Sequence, residues 1–164
     1  MATFDFPRQK SEPYLCISDF FRPADGPEVD YIAMQAVTMG SEVSRRTAEL
    51  FASNDYGAYL RLHGLGVEMA EALAEYWHHR IRTEWGFVNQ DGESLAGLFR
   101  QKYRGGRYSF GYPACPRLED NETLVALLGA DRIGIEVSEG FQLHPEQSTT
   151  AIVCHHPQAK YFVA

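Results

Sequence analysis

The segment from Arg104 to Pro116, RGGRYSFGYPACP, carries the residue types best suited to holding a small ligand. Its three glycines let a backbone approach a ligand closely, and its prolines restrict the exit. Arg107 offers a forked donor that matches a carboxylate, while Tyr108, Phe110 and Tyr112 offer flat faces. This combination suits a small zwitterion that carries an aromatic ring. A packed surface loop is the alternative interpretation. Because of its glycines and prolines, the segment is predicted to be neither helix nor strand.

Histidines and carboxylates elsewhere resemble metal-site patterns only in part. Glu75 and His78 have the spacing of one half of a di-iron motif, with Glu71 and His79 nearby. A di-iron site needs two such helical motifs and further carboxylates, so pairing of Glu75 with His79 on a solvated helix face is favoured. A zinc site would combine His78 with three histidines that lie beside or near prolines: His144, His155 and His156. Histidines in such positions usually cap backbone groups or lie at the surface, which argues against a zinc site.

The three cysteines are Cys16, Cys115 and Cys154, an odd number without a CxxC pair, so we expect reduced thiols. Cys115 lies near arginines that could lower the pKa of its thiol and make it nucleophilic. No histidine or carboxylate stands at an interpretable spacing from it. We assign no catalytic residue and no metal.

The composition predicts one domain over residues 1–164, because this length suits a single core and 45% of the residues are hydrophobic. No stretch is apolar enough for a membrane span or a signal peptide, which predicts a cytoplasmic protein. The formal charge of −7 repels phosphate backbones and anionic lipid surfaces. We therefore expect no nucleic-acid or membrane partner.

Residues 80–107 depart from this acidic balance. They contain six basic and three acidic residues: Arg80, Arg82, Arg100, Lys102, Arg104 and Arg107 against Glu84, Asp91 and Glu93. The local excess of positive charge could dock an anionic partner, and ordinary solubilising charges are the alternative.

Apolar periodicity and capping residues predict helices in the middle of the chain. Leu62, Leu65, Met69, Leu73, Tyr76 and Trp77 are predicted to form the core stripe of the longest helix. The predicted helices run from Ser41 to Asn54, from Asn54 or Asp55 to about Trp85, from Ser94 to Tyr103, and from Asp120 or Asn121 to Leu128.

Extended segments are predicted toward both ends of the chain. The predicted segments are Tyr14 to Phe21, followed by a turn over residues 22–27, and the strands Val29 to Met39, Ile133 to Val137, Ser148 to Cys154 and Ala159 to Val163. The order of strand, helices and strands predicts an α+β fold with an antiparallel sheet.

The run Arg107-x-x-x-Gly111-Tyr112-Pro113-Ala114-Cys115-Pro116 resembles the signature of the S-adenosylmethionine-binding activation domain of cobalamin-dependent methionine synthase. The resemblance extends from Tyr14-Leu15 and Asp30-Tyr31-Ile32 through residues 70–78 to His156-Pro157 and Lys160-Tyr161-Phe162. It implies an α+β, C-shaped domain with a central antiparallel sheet and flanking helices, which holds the cofactor in a shallow groove.

The resemblance also implies roles for individual residues. Arg107 would grip the methionyl carboxylate, because bidentate pairing of arginine with a carboxylate is strong and planar. The other implied cofactor-binding residues are Ser109 through its backbone, Gly111 in the signature, Tyr112 beside the ligand, Glu71 from the long helix, and Tyr161 and Phe162 at the adenosine. A tyrosine ring tolerates a sulfonium by cation–π attraction.

The implied function is reductive reactivation within a methyltransferase that makes methionine from homocysteine. Cobalt in the cob(II) state takes an electron from a flavodoxin-like donor and a methyl group from S-adenosylmethionine. Cobalamin would be held by a partner module in the same or a separate chain, because the sequence lacks the Asp-x-His-x-x-Gly element of cobalamin-binding modules. We therefore expect no catalysis by this chain alone.

One departure from the family leaves an alternative open. Family members carry an additional stretch upstream, with an aspartate that meets the ligand's amino group, and this sequence begins after it. The alternative is a non-catalytic binding module that keeps the fold without presenting S-adenosylmethionine productively.

Overall fold

A computed structural model describes residues 1–91 and 94–164 and combines helices with short strands. The helices are α1 (Ser41–Ala52), α2 (Tyr56–Glu84), α3 (Leu95–Phe99) and α4 (Asp120–Leu128). The strands are β1 (Ala33–Thr38), β2 (Gly106–Tyr108), β3 (Glu136–Val137), β4 (Leu143–His144) and β5 (Ser148–Cys154). Single 3-10 turns lie at Ile17–Phe20, Val88–Gln90 and Ala130–Ile133. The predicted α+β class is confirmed.

The strands form one three-stranded sheet with the order β1-β5-β2 and one two-stranded sheet of β3 and β4. β2 and β5 are antiparallel, and Arg107 lies opposite Val153. The predicted boundaries of β5 are confirmed. Its last five residues are all buried, as expected of the middle strand of a sheet.

The predicted helices match α1, α2 and α4 closely. α2 continues through Gly64 and Gly66 without a break. Ser94 caps α3 by accepting a hydrogen bond from the Gly97 N–H (3.1 Å). α4 ends at Gly129, whose left-handed backbone (φ +57°) is the conformation that glycine adopts readily.

The predicted core stripe of α2 was wrong. Leu65, Met69, Tyr76 and Trp77 are 45–59% exposed. The buried line of the helix instead runs at intervals of four residues through Gly66, Ala70, Ala74, His78 and Arg82. Small side chains at the first three positions let neighbouring groups approach the helix backbone, so size rather than hydrophobicity selects this face.

Four predicted extended segments differ from the structure. Of the predicted strand Ile133 to Val137, only Glu136–Val137 is a strand, because Ile133 belongs to a 3-10 turn. Residues 17–20 form a 3-10 turn, because the Asp19 and Phe21 amides bond back to Cys16 and Ser18. β1 begins at Ala33 rather than Val29, since the Asp30 carboxylate accepts the Tyr31 amide. Residues 159–163 form no strand. Two backbone carbonyls of this last segment accept hydrogen bonds from side chains instead of from a neighbouring strand. Tyr108 donates to the Lys160 carbonyl, and Gln9 donates to the Val163 carbonyl.

Two compact units make up the described chain. The first comprises Met1–Met34, Trp77–Arg117 and Ala151–Ala164, and the second comprises Gln35–Tyr76 and Leu118–Thr150. The first unit has an aromatic core in which the Phe20 ring lies 6.2 Å from Tyr108 and 6.4 Å from Phe162. One domain over residues 1–164 stays a prediction.

Two buried polar side chains of the second unit donate hydrogen bonds within it. The Gln35 amide donates to the Ala74 carbonyl (3.2 Å), and the Thr150 hydroxyl donates to the Asn121 side chain (2.6 Å). Such bonds offset the cost of burying polar side chains. Among the described residues, no helix has both the length and the apolar composition needed to span a bilayer.

Candidate functional site

Arg107 lies on β2, inside the segment predicted to be irregular, so that part of the prediction was wrong. A strand forms there because Gly105 adopts φ +92° and has no side chain. A Cβ at this position would lie 2.5 Å from the Cys154 carbonyl oxygen, closer than atoms can approach. Glycine therefore allows β2 to pair with β5, and this pairing places Arg107 in a half-buried position.

The loop after β2 is held by Cys115. The Cys115 amide donates to the Tyr112 carbonyl (2.9 Å), and the Gly111 amide donates to the Cys115 carbonyl (3.0 Å). The thiol donates to the Ser109 carbonyl at 2.9 Å. Cys115 is 2% exposed, so its thiol shapes the loop. Gly111 (φ +87°) supplies the left-handed turn that closes it.

The C-terminal segment lies against this loop. The Ala164 amide donates to the Pro113 carbonyl (3.2 Å). Burial, together with Cys115 and Tyr112 nearby, raises the pKa of the Tyr161 phenol, so the ring is neutral at physiological pH. Tyr161 and Tyr112 remain 42% and 50% exposed and present aromatic surface to solvent.

All the predicted binding residues except Glu71 lie in the first unit. The residues gathered there are Arg107, Ser109, Gly111, Tyr112, Tyr161 and Phe162. Phe162 is 6% exposed and packs on Phe20 and Tyr108, so its side chain anchors the segment that presents Tyr161. Glu71 is an exposed residue of α2 in the second unit, and its role stays a prediction.

The first unit therefore combines a guanidinium on a strand, a loop with a fixed backbone and two accessible tyrosine rings. A guanidinium recognises a carboxylate, and the rings suit a flat heterocycle or a positively charged centre. These are complementary to the two ends of an amino-acid nucleoside.

The histidines on α2 have structural partners. His78 is fully buried and packs edge-on against Tyr103, with ring centroids 5.0 Å apart. Burial, reinforced by Arg82 and Arg107, lowers the pKa of His78 to about 2, so the ring is neutral. His79 lies 3.3 Å from the Asp91 carboxylate instead of pairing with Glu75 as predicted. Within the described residues, no three His, Cys, Asp or Glu side chains form a metal-binding group.

His155 takes part in an interaction that the sequence analysis missed. Its Nε2 lies 2.7 Å from the Asp30 carboxylate, in a cleft of about 430 Å³. Burial opposes ionisation of Asp30, but bonds from the Arg22 amide, His155 and the Tyr31 amide outweigh it and lower its pKa to about 2. His156 accepts the Gln158 amide (3.2 Å), in agreement with the predicted capping role. Two sequence features could have indicated this pair: His155 directly precedes His156-Pro157, and Asp30 follows the predicted turn over residues 22–27.

The basic residues of segment 80–107 have different environments, and Glu93 of this segment lies outside the described residues. Arg82 is fully buried and donates to Asp91 (3.0 and 2.9 Å). Arg104 is half-buried, donates to the His155 carbonyl (2.9 Å) and stacks over Phe87. Arg100 and Lys102 are exposed and can meet a partner.

Comparison with known families identifies this arrangement. The family described as "Vitamin B12 dependent methionine synthase, activation domain" matches residues 3–164. The chain belongs to this family. Methionine synthases of Mycobacterium tuberculosis (strain ATCC 25618 / H37Rv) and Mycobacterium leprae (strain TN) are 52% and 50% identical to it over 169 residues.

Each of these two alignments covers 97% of the activation-domain chain. The chain spans 14% of the length of each relative. A solved structure, described as the MetH reactivation domain bound to AdoHcy, superposes with a TM-score of 0.87 at 32% identity. That match covers 96% of this chain and 50% of the other. The family resemblance inferred from the sequence is confirmed.

Proposed function

We propose that this activation-domain chain binds S-adenosylmethionine and presents its methyl group for reductive reactivation of cobalamin in methionine synthase. One observation carries the proposal: Arg107 lies on a paired strand directly before the loop that Cys115 holds and that carries Tyr112. The similar reactivation domain, whose description names AdoHcy as its bound ligand, supports the choice of ligand class.

Each residue contributes through its position. The Arg107 guanidinium binds the methionyl carboxylate, and the Ser109 and Gly111 backbone lies along the ligand because Cys115 holds the loop. Tyr112 lies beside the sulfonium, where an aromatic face attracts positive charge. Tyr161 contacts the adenosine, and buried Phe162 fixes its segment. The role of Glu71, a residue of the second unit, stays the one that the family resemblance implies.

The bound S-adenosylmethionine supplies a methyl group that its sulfonium already activates for transfer. The protein contributes orientation and exclusion of water. Cobalamin belongs to a partner module, and the electron comes from a flavodoxin-like donor. The predicted cytoplasmic location stays part of this proposal.

A non-catalytic module is less favoured, because a purely structural role would not require the combination of Arg107, Gly111, Tyr112 and Tyr161. Calorimetric titration with S-adenosylhomocysteine separates the two proposals. We expect saturable one-to-one binding of S-adenosylhomocysteine and no heat with homocysteine alone. Absence of binding at millimolar ligand would overturn the proposed function.

A further inference from the structure

Tyr108 is a buried residue between two of the proposed binding residues, Arg107 and Ser109. It is 1% exposed, and its ring lies 6.2 Å from Phe20 and 6.3 Å from Phe162. Its hydroxyl donates to the Lys160 carbonyl at 2.9 Å. The side chain thus reaches from β2 to the residue that directly precedes Tyr161.

The neighbourhood of Tyr108 preserves this bond. Burial raises the pKa of the phenol well above its usual range, so the hydroxyl keeps the proton that it donates. Gly106 leaves room for the ring, because a Cβ at that position would lie 2.9 Å from the Tyr108 oxygen. The Lys160 carbonyl belongs to a segment that forms no strand, so a side-chain donor replaces a ladder bond there.

We propose that Tyr108 is a positioning residue that joins the strand bearing Arg107 to the segment bearing Tyr161. The amino-acid end and the nucleoside end of the ligand would then meet groups held at a constant separation. This inference rests on the proposed function, because it gives that site its internal spacing. Preorganised spacing lowers the cost of ordering the site when ligand binds.

Two ligands and two variants test this role. Tyr108→Phe removes only the hydroxyl, so the ring packing is kept. Because Tyr161 acts at the nucleoside end, Tyr108→Phe is expected to weaken both S-adenosylhomocysteine and 5′-methylthioadenosine about three- to tenfold. Arg107→Ala is expected to weaken S-adenosylhomocysteine alone, since 5′-methylthioadenosine has no carboxylate.

Tyr56→Phe is the matched control. The Tyr56 hydroxyl also makes a hydrogen bond, to the Asn54 side chain (3.1 Å), but it lies in the second unit. We expect this variant to bind both ligands as the wild type does. This control shows whether the loss of a tyrosine hydroxyl outside the first unit leaves binding unchanged.

Amide hydrogen exchange in the ligand-free protein gives a measurement that does not depend on binding. In Tyr108→Phe, the peptide covering residues 160–164 should exchange about three- to tenfold faster. Unchanged exchange would overturn the inference, and so would faster exchange with unaltered affinity for both ligands. If the wild type binds neither ligand while exchange accelerates, the proposed function fails and the anchoring of residues 160–164 by Tyr108 stands.

Discussion

Arg107 is the residue on which the proposed recognition of the amino-acid end depends. Its backbone is held by pairing with Val153, so its guanidinium projects from a rigid element rather than from the loop. A rigid donor loses less conformational entropy when it binds a carboxylate. Its residue type and its glycine neighbours already mark Arg107 in the sequence, and pairing of β2 with β5 explains its fixed backbone position.

Replacing Arg107 by alanine should weaken S-adenosylhomocysteine binding by about ten- to a hundredfold, because a charge-assisted bond contributes roughly 1.5–3 kcal/mol. Arg107→Lys keeps the charge but lacks the planar fork of the guanidinium, so its affinity should lie between those of wild type and Arg107→Ala. Titration calorimetry measures both variants. Arg46→Ala, on α1 in the second unit, is the control. Equal affinity of Arg107→Ala and wild type would contradict the assigned role.

Gly105 and Gly64 have opposite effects on the stability of the secondary structure around them. Gly105 combines a positive φ with close approach to the Cys154 carbonyl, whereas a Cβ on Gly64 in α2 would meet nothing within 4 Å. The first glycine is required by strand pairing. The second only weakens its helix.

Gly105→Ala should lower the free energy of unfolding by about 2–4 kcal/mol, because it adds backbone strain and a clash. Gly64→Ala should raise that free energy by about 0.5–1 kcal/mol. Urea unfolding of both variants tests the comparison. A Gly105→Ala protein as stable as wild type would mean that the β2–β5 approach is not constrained as described.

The Asp30–His155 pair joins the segment before β1 to the residue after β5. The pKa of Asp30 falls from 3.8 to about 2 on folding, so its stabilising contribution is present above about pH 4. That contribution should disappear as the pH falls from 3.8 to about 2. Asp30→Asn should be less stable than wild type at pH 7, and the difference should shrink in this acid range.

Urea unfolding at pH 7, 4 and 2.5 measures the effect, with the exposed Asp25→Asn as control. A stability difference between wild type and Asp30→Asn that stayed constant across the series would contradict the assignment. The sign follows from a carboxylate that is held ionised in the folded state.

On the scale of the whole molecule, the exposed charges available for docking are fewer than composition suggests. Arg82 and Arg104 are committed to Asp91 and to the His155 carbonyl. Of the basic residues in segment 80–107, Arg80, Arg100 and Lys102 are exposed. We propose that Arg100 and Lys102 contribute to charge-driven docking of a cobalamin module.

Reversing Arg100 and Lys102 to glutamate should slow association with a separately produced cobalamin module about three- to tenfold at low salt. The difference should fade at high salt, while S-adenosylhomocysteine affinity stays unchanged. Stopped-flow association at two salt concentrations tests this, with reversal of Arg45 and Arg46 on α1 as control. An unchanged rate would leave these residues as solvated surface.

The sequence by itself determined α1, α2, α4 and β5, because capping, periodicity and glycine or proline signals act between near neighbours. The motif around Arg107 and Gly111 also identified the family from residues alone. These features need no knowledge of distant contacts.

Only the tertiary structure decided which face of α2 is buried and that Gly106–Tyr108 forms a strand. A three-residue strand has no periodicity of its own and exists because β5 pairs with it. The same holds for the residues that support the site: Tyr108 reaches Lys160, and Cys115 reaches Ser109. Hydrogen bonds from side chains to backbone carbonyls outside helices and strands leave no periodic pattern in the sequence. They can therefore be recognised only in the folded structure.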